Sequence, residues 1–418
     1  MDRQTLCKLI DERQGELFSL LSEFVQINTE NFGDHGREAA LARHLAKIGE
    51  KMELAVDLYS PADMPEVMNS TDFWPGRHLE ERYNVTLTYP GKRDENGLLL
   101  MGHTDTVMIG NPAAWEREPL SGAVENGRVY GRGACDDKYA LAVVLFLFRL
   151  FADCGLRPEK NIDLCAYCDE ECGGSHGAMA ACMRKKYDQI INMDGKDKQI
   201  YGCASGGGEI DIFFHLEGTQ DSAEAAARLL PLVFDKVKEF GDRRREEIMA
   251  DPAYHGKVPG GILRFLEAAC GHAGADLGRG HVRFVYYTNR NEEEIERELS
   301  ALDSAIGAAL APYGAVCDRH KRATRHFHYE RGIVTEKGVT ALQQAAREAV
   351  GAEIPVVGPC LSDLSVILKY GGPSAFGFGA GRDFDVPGGA HQRDEFIECA
   401  DLLDYAKTLG VYILNTLL

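Results

Sequence analysis

At 418 residues, 44% hydrophobic and 27% charged, the chain has an ordinary globular composition but is too long for one ordinary core, so two domains are expected. A formal net charge of −19 argues against nucleic acid or an anionic membrane surface as a partner. No apolar run reaches the roughly 18 residues needed to span a bilayer, and residues 1–14 are charged and amphipathic, without the apolar block of a signal peptide. The 12 cysteines therefore read as reduced, and the chain is expected in the cytoplasm.

In chain order, Leu6, Leu9, Ile10, Leu17, Leu20, Leu21, Phe24 and Val25 recur at helical spacing and predict an amphipathic opening helix. A second helix follows over 36–52 and a strand over 53–59. Residues 60–82 show no periodicity and contain three prolines with Phe73 and Trp74, which suggests an ordered cover rather than a disordered loop. Strands are expected over 83–89, 98–101, 162–168 and 189–192, with helices over 140–151 and 175–186 between them. This alternation implies an α/β fold with a largely parallel sheet, whose sites lie beyond the carboxyl ends of the strands.

The texture changes near Gly202. Ala204-Ser205-Gly206-Gly207-Gly208 looks like a hinge, followed by a strand over 209–216 and a helix over 222–240. Residues 242–280 read as irregular, with Arg243-Arg244-Arg245-Glu246-Glu247 a solvated helix face, before a strand over 281–287 and a helix over 292–310. The expected division is residues 1–204 and 317–418 as one catalytic domain, with 205–316 inserted as an α+β lid of the dimerisation type. In the last part, helices are expected over 336–350, 362–369 and 396–418, with a glycine-rich turn over 376–381.

The chemistry-bearing residues fall where predicted strands end. They are His103 and Asp105 in Gly102-His103-Thr104-Asp105-Thr106, Asp136 in Gly131-Arg132-Gly133-Ala134-Cys135-Asp136-Asp137-Lys138, and Glu170-Glu171 after Asp169. Asp194 follows Asn192-Met193, and His391 lies in Gly389-Ala390-His391-Gln392-Arg393-Asp394-Glu395. Taken singly, each has a plain structural reading: His-x-Asp as a helix cap or surface pair, the two glutamates as solvated acids. Together, two imidazoles and three carboxylates suit two borderline divalent cations, with Asp136 the candidate bridge. Asp105 could be a ligand or could orient a ligand from behind. Adjacent Glu170 and Glu171 point differently, so one can bind metal while the other faces substrate as a base. Cys165, Cys168 and Cys172 have metal-like spacing, but no second cysteine pair accompanies them and they read as structural.

These motifs resemble the dinuclear zinc hydrolases, a family that includes aminoacylases, acetylornithine deacetylase, succinyl-diaminopimelate desuccinylase, carboxypeptidases and bacterial dipeptidases. The resemblance covers nearly the whole chain. It implies a zinc-exopeptidase-like three-layer catalytic domain with an inserted lid. It also implies His103 and Asp194 on one metal, Glu171 and His391 on the other, Asp136 between them, Asp105 orienting His103, and Glu170 as general base. A cis peptide after Asp136 is implied as well. Zinc is favoured, with cobalt or manganese able to serve.

The expected reaction is hydrolysis of an amide bond in a small N-acyl amino acid or dipeptide carrying a carboxylate, with water activated between two metals. The alternatives are a carbamoyl-amino-acid hydrolase on the same metals, or a non-catalytic ligand-binding protein on a hydrolase fold. Arg290 and Arg382 are candidate seats for the substrate carboxylate. Dimeric relatives usually carry a lid histidine that reaches the partner's site, but Glu217-Gly218-Thr219-Gln220-Asp221-Ser222 has none. This leaves a homodimer and the oxyanion donor open, and His255 is the first candidate donor, ahead of His272 and His281. Tyr139 and Arg393 also depart from the family's usual residues.

Overall fold

The computed structural model describes residues 1–217, 222–254, 262–271 and 277–418. Its chain divides into two compact units, residues 1–202, 331–357 and 366–418 in one, and 203–330 with 358–365 in the other. Among the described residues no helix is long and apolar enough to cross a membrane.

The first unit is built on an eight-stranded sheet. Its spatial order is Ala55–Tyr59, Asn84–Tyr89, Asn161–Tyr167, Asn96–His103, Gln189–Asn192, Phe376–Gly379, Gln199–Tyr201 and Val356–Val357. The central strands, from Asn161–Tyr167 to Phe376–Gly379, run parallel, and Leu98 to Met101 are buried without alternation, as expected when both faces are covered. Antiparallel pairs flank this centre on both sides, and the edge pair Gln199–Tyr201 with Val356–Val357 is parallel again, so the expected largely parallel sheet is a mixed one with a parallel centre. The helix Lys138–Asp153 is apolar nearly all round and fully buried over most of its length. It packs against Gln14–Val25 and the last helix, Cys399–Thr416. Both parallel neighbours of the Asn96–His103 strand, Asn161–Tyr167 and Gln189–Asn192, end at the same side as it does, which is where the chemistry-bearing residues leave the sheet.

Several boundaries differ from the sequence reading. The opening helix is two helices, Arg3–Glu12 and Gln14–Val25, joined at Arg13. Residues 60–82 contain a short 3-10 turn, Pro61–Asp63, and one helical turn, Pro65–Met68. The stretch before the last helix is a strand, Phe396–Glu398, that pairs with Arg128–Tyr130. Residues 376–381 contain a strand where a turn was expected, and 362–369 contains only Leu364–Val366 as α-helix, continuing into a wider turn.

The second unit carries an antiparallel sheet in the order Leu263–Cys270, Arg279–Thr288, Gly206–Leu216 and Ala315–Cys317, with Lys321–Arg322 also pairing to Gly206–Leu216. Ile210, Ile212 and Phe214 alternate inward and join Val233, Val237 and Phe240 of Leu230–Met249, and Ile295, Leu299 and Leu302 of Glu292–Leu310. The start of Glu292–Leu310 is fixed by Asn291 and Glu294 in a capping box. The expected helix over 222–240 breaks at Arg228, and its second half runs on to Met249. Leu263–Cys270 is a strand within the stretch read as irregular. The charge run is not uniformly solvated: Arg244 is buried and bound to Thr288, Glu247 and Glu298.

Candidate metal centre

The strand Asn96–His103 delivers His103 into a fully buried position. Its Nε2 lies 3.0 Å from Asp136 Oδ1, while its Nδ1 lies 2.9 Å from the main-chain carbonyl of Asp105. That carbonyl accepts an Nδ1–H and turns Nε2 toward Asp136, the orientation a metal-binding imidazole needs once Nε2 has given up its proton. Asp136 sits in the turn ahead of the helix Lys138–Asp153, and the Asp136–Asp137 peptide is cis, as the resemblance implies. Asp137 turns inward, where its Oδ2 accepts the backbone N–H of His103 at 3.3 Å.

Donor atoms of His103, Asp136 and Glu171 all lie within 4.8 Å of one another. His391 closes the group, with Nε2 3.2 Å from Asp136 Oδ2 and 2.8 Å from Glu171 Oε2. Asp136 thus presents one carboxylate oxygen to each imidazole. The other oxygen of Glu171 accepts the Val107 N–H at 3.1 Å. Asp194 follows the strand Gln189–Asn192 and feels the charges of Asp136, His103, Glu171 and His391.

The electrostatics show a site that calls for positive charge. Burial pushes Asp194 up to about 7, and the neighbouring Asp136 carboxylate adds to it. Burial alone would lower His391, but the Glu171 and Asp136 carboxylates raise it to about 10. His103 is likewise raised despite its burial, by the hydrogen bond to Asp136 and the nearby charges of Glu170 and Asp136. Asp136 itself is held below the usual carboxylate range, because its bonds to the two imidazoles outweigh burial. Borderline divalent cations fit this set: mixed imidazole and carboxylate donors, gathered within bonding reach around too many acids.

Asp105 touches two parts of the site. It meets His103 through its carbonyl, whereas its carboxylate oxygen stands 3.8 Å from Nδ1. Its Oδ2 instead accepts the backbone N–H groups of Glu170 and Glu171, both at 3.0 Å, and the Asn31 amide at 2.7 Å. Asp105 therefore joins the His103 loop to the glutamate turn.

Other contributors carried no spacing signal. Glu395 is buried and accepts the Arg132 guanidinium at 2.6 Å and the backbone N–H groups of Gly133 and Cys135 at 3.0 Å. It ties the Asp136 loop to the His391 loop; its place in the quoted His391 motif was the only hint. The Tyr139 hydroxyl donates to Met193 O and accepts from Ala380 N–H, both at 2.7 Å. It thus links the strand leading to Asp194 with the stretch leading to His391.

The remaining candidates have contacts of their own. Arg290 belongs to the second unit, and its guanidinium is engaged by Glu247 at 2.8 Å and Glu298 at 3.1 Å. Arg382 is half-buried, stacked 4.0 Å over Phe396, and donates to Pro387 O. His281 is held by Asp211 at 2.7 Å and stacked on Phe213, a structural setting. His255, His272 and residues 218–221 lie outside the described residues. Cys165 and Cys168 are buried free thiols and Cys172 is half-buried.

The pattern of peptidase family M20/M25/M40 matches residues 99–415, more than half of the chain. The chain belongs to that peptidase family. This M20 chain is similar to succinyl-diaminopimelate desuccinylase from Rhodopseudomonas palustris, 33% identical over 317 residues, which cover 69% of this chain and 79% of the relative. Human carnosine dipeptidase 1 shares its fold with a TM-score of 0.75 at 13% identity, over 99% of both chains. A dinuclear metal-binding M20 peptidase from Bacillus subtilis does so with a TM-score of 0.56 at 13% identity, over 97% of this chain and 99% of the other. At such identities the likeness speaks for the fold. Five further curated relatives are matched over only 24% to 42% of their own length.

Proposed function

We propose that this M20 chain hydrolyses an amide bond in a small N-acyl amino acid or dipeptide. The observation that carries this reading is the meeting of His103, Asp136, Glu171 and His391 beside a turn that also bears Glu170. His103 and Asp194 would hold one divalent ion, Glu171 and His391 the other, and Asp136 would serve both. Zinc fits the donors best. Such ions, when bound, polarise a scissile carbonyl and lower the pKa of water from about 15.7 toward 7.

The chain's own residues do the rest. Glu170 accepts the proton of the attacking water and passes it to the leaving nitrogen, the double duty of a general base and acid. Its backbone N–H is anchored on Asp105, which fixes where that carboxylate starts from. The Asp105 carbonyl sets the tautomer of His103. Arg132 and Glu395 keep the loops of Asp136 and His391 in register.

The test is a panel of N-acyl amino acids, dipeptides and N-carbamoyl amino acids offered to the zinc-loaded protein. Turnover confined to acyl amino acids or dipeptides supports the reading. Turnover confined to carbamoyl compounds moves the chain to the carbamoyl-hydrolase alternative, and none at all points to a ligand-binding protein.

A further inference from the structure

The segment 60–82 reads from sequence as a cover. Its contacts are those of a brace. Arg82 is 1% exposed, an unusual place for a guanidinium. It meets Glu38 Oε1 through Nε and Nη2, each at 2.5 Å, and Asp169 Oδ1 through Nη1 at 2.8 Å. Asp169 immediately precedes Glu170 and is itself fully buried.

A second anchor comes from the other side. His176 Nδ1 donates to Asp169 Oδ2 at 2.5 Å, and its Nε2 accepts the backbone N–H of Trp74 at 3.1 Å. That pair of contacts fixes a neutral imidazole with its proton on Nδ1. Phe73 packs edge-on against the same ring at 4.8 Å. A third anchor is Arg77, which donates to the carbonyls of Gly33 and Cys172. Further out, Asp72 binds Lys369 at 2.7 Å.

These anchors converge on one turn. Asp169 has φ +64°, uncommon for a residue with a side chain, and its carbonyl accepts the Ser175 N–H at 2.8 Å. Gly174 lets the Asp169 carboxylate fold back so closely that an added Cβ would lie 1.9 Å from Oδ2. The turn is therefore gripped from below by Asp169 and from the side by Asp105.

We propose that 60–82 is a fixed brace for the turn carrying Glu170, with Arg82 and His176 as positioning residues that act through Asp169. This rests on the reading above that Glu170 is the general base. A displacement of about 1 Å at a reacting group can cost about 10²-fold in rate. Glu171 has its own holds on Val107 and His391, so loosening the turn is felt first at Glu170.

The test uses the zinc-loaded full chain and three substitutions. His176→Leu removes both contacts, His176→Asn keeps a donor for Asp169, and Arg82→Lys keeps the charge but loses the fork to Glu38. His176→Leu and Arg82→Lys are expected to lower kcat about 10- to 100-fold, with KM and zinc content within about twofold of wild type. They are also expected to speed hydrogen exchange at the Glu170 and Glu171 amides, and His176→Asn to restore most of both. Unchanged kcat and exchange in the folded, zinc-loaded His176→Leu and Arg82→Lys proteins would overturn the brace. So would zinc loss in step with kcat, which would mark a general scaffold role. If the wild-type protein turns over nothing, the amidase reading fails while the exchange measurement still decides the brace.

Discussion

Asp105 Oδ2 accepts the backbone N–H of Glu171 at 3.0 Å, so a buried carboxylate from one strand end fixes the main chain of another. Such supports behind a ligand typically carry 10- to 100-fold in metal affinity or activity. Asp105→Asn, which brings an N–H toward those donors, is expected to cost about that much. Metal titration and steady-state kinetics on the variant check it.

Glu170 and Glu171 are neighbours with separable expected phenotypes. Glu170→Gln is expected to keep both metals and cut kcat about 10²- to 10⁴-fold. Glu171→Gln is expected to lower metal occupancy first, because the proposed site then loses a charged carboxylate ligand 2.8 Å from the His391 ring. Elemental analysis beside kinetics reads the two apart, and exchanged phenotypes would reverse the roles.

The buried Arg132–Glu395 pair is a stability element as well as a register device. Removing one partner of such a pair strands the other, at a cost of about 3–5 kcal/mol. Glu395→Ala is expected to lower the melting temperature clearly, with Arg132→Met/Glu395→Met together costing less than the single change. Thermal denaturation of the three proteins decides.

In the second unit, His320 is 2% exposed in its side chain and lies 2.8 Å from Asp303 and 3.2 Å from Glu296, which Arg319 and Arg322 also bind. Burial would lower its pKa, but the Asp303 hydrogen bond and the two carboxylate charges raise it above 6.5. The folded form binds this proton more tightly, so its contribution is full below about 6.5 and fades as pH rises through the folded value. Hydrogen exchange along Glu292–Leu310 is expected to quicken with rising pH more in wild type than in His320→Gln, after correction for intrinsic exchange.

The parts legible in the sequence were those set by local pattern. Apolar strands stop at His103, Glu170 and Asp194, and the structure gathers those strand ends around Asp136. Glu292–Leu310 matches its helical periodicity to the residue. What stayed hidden depends on contacts between distant stretches. Arg82 and Asp169 are 87 positions apart, and nothing local marks either as buried. The strand Leu263–Cys270 was missed because Arg264 to Ala268 are all exposed, leaving no alternation to read. The extension of Leu230–Met249 was masked by the charges around Arg244, a residue whose burial only its partners explain. For Asp105, sequence separated neither carbonyl from carboxylate nor His103 from the glutamate turn.

The most direct test of the central claim is calorimetric titration of chelator-stripped protein with Zn²⁺, wild type against Asp136→Asn. About two ions per chain in the wild type, with tight binding lost in the variant, is the result expected of a cluster in which Asp136 faces both imidazoles at 3.0 and 3.2 Å. Wild-type protein that binds no zinc more tightly than Asp136→Asn would contradict it.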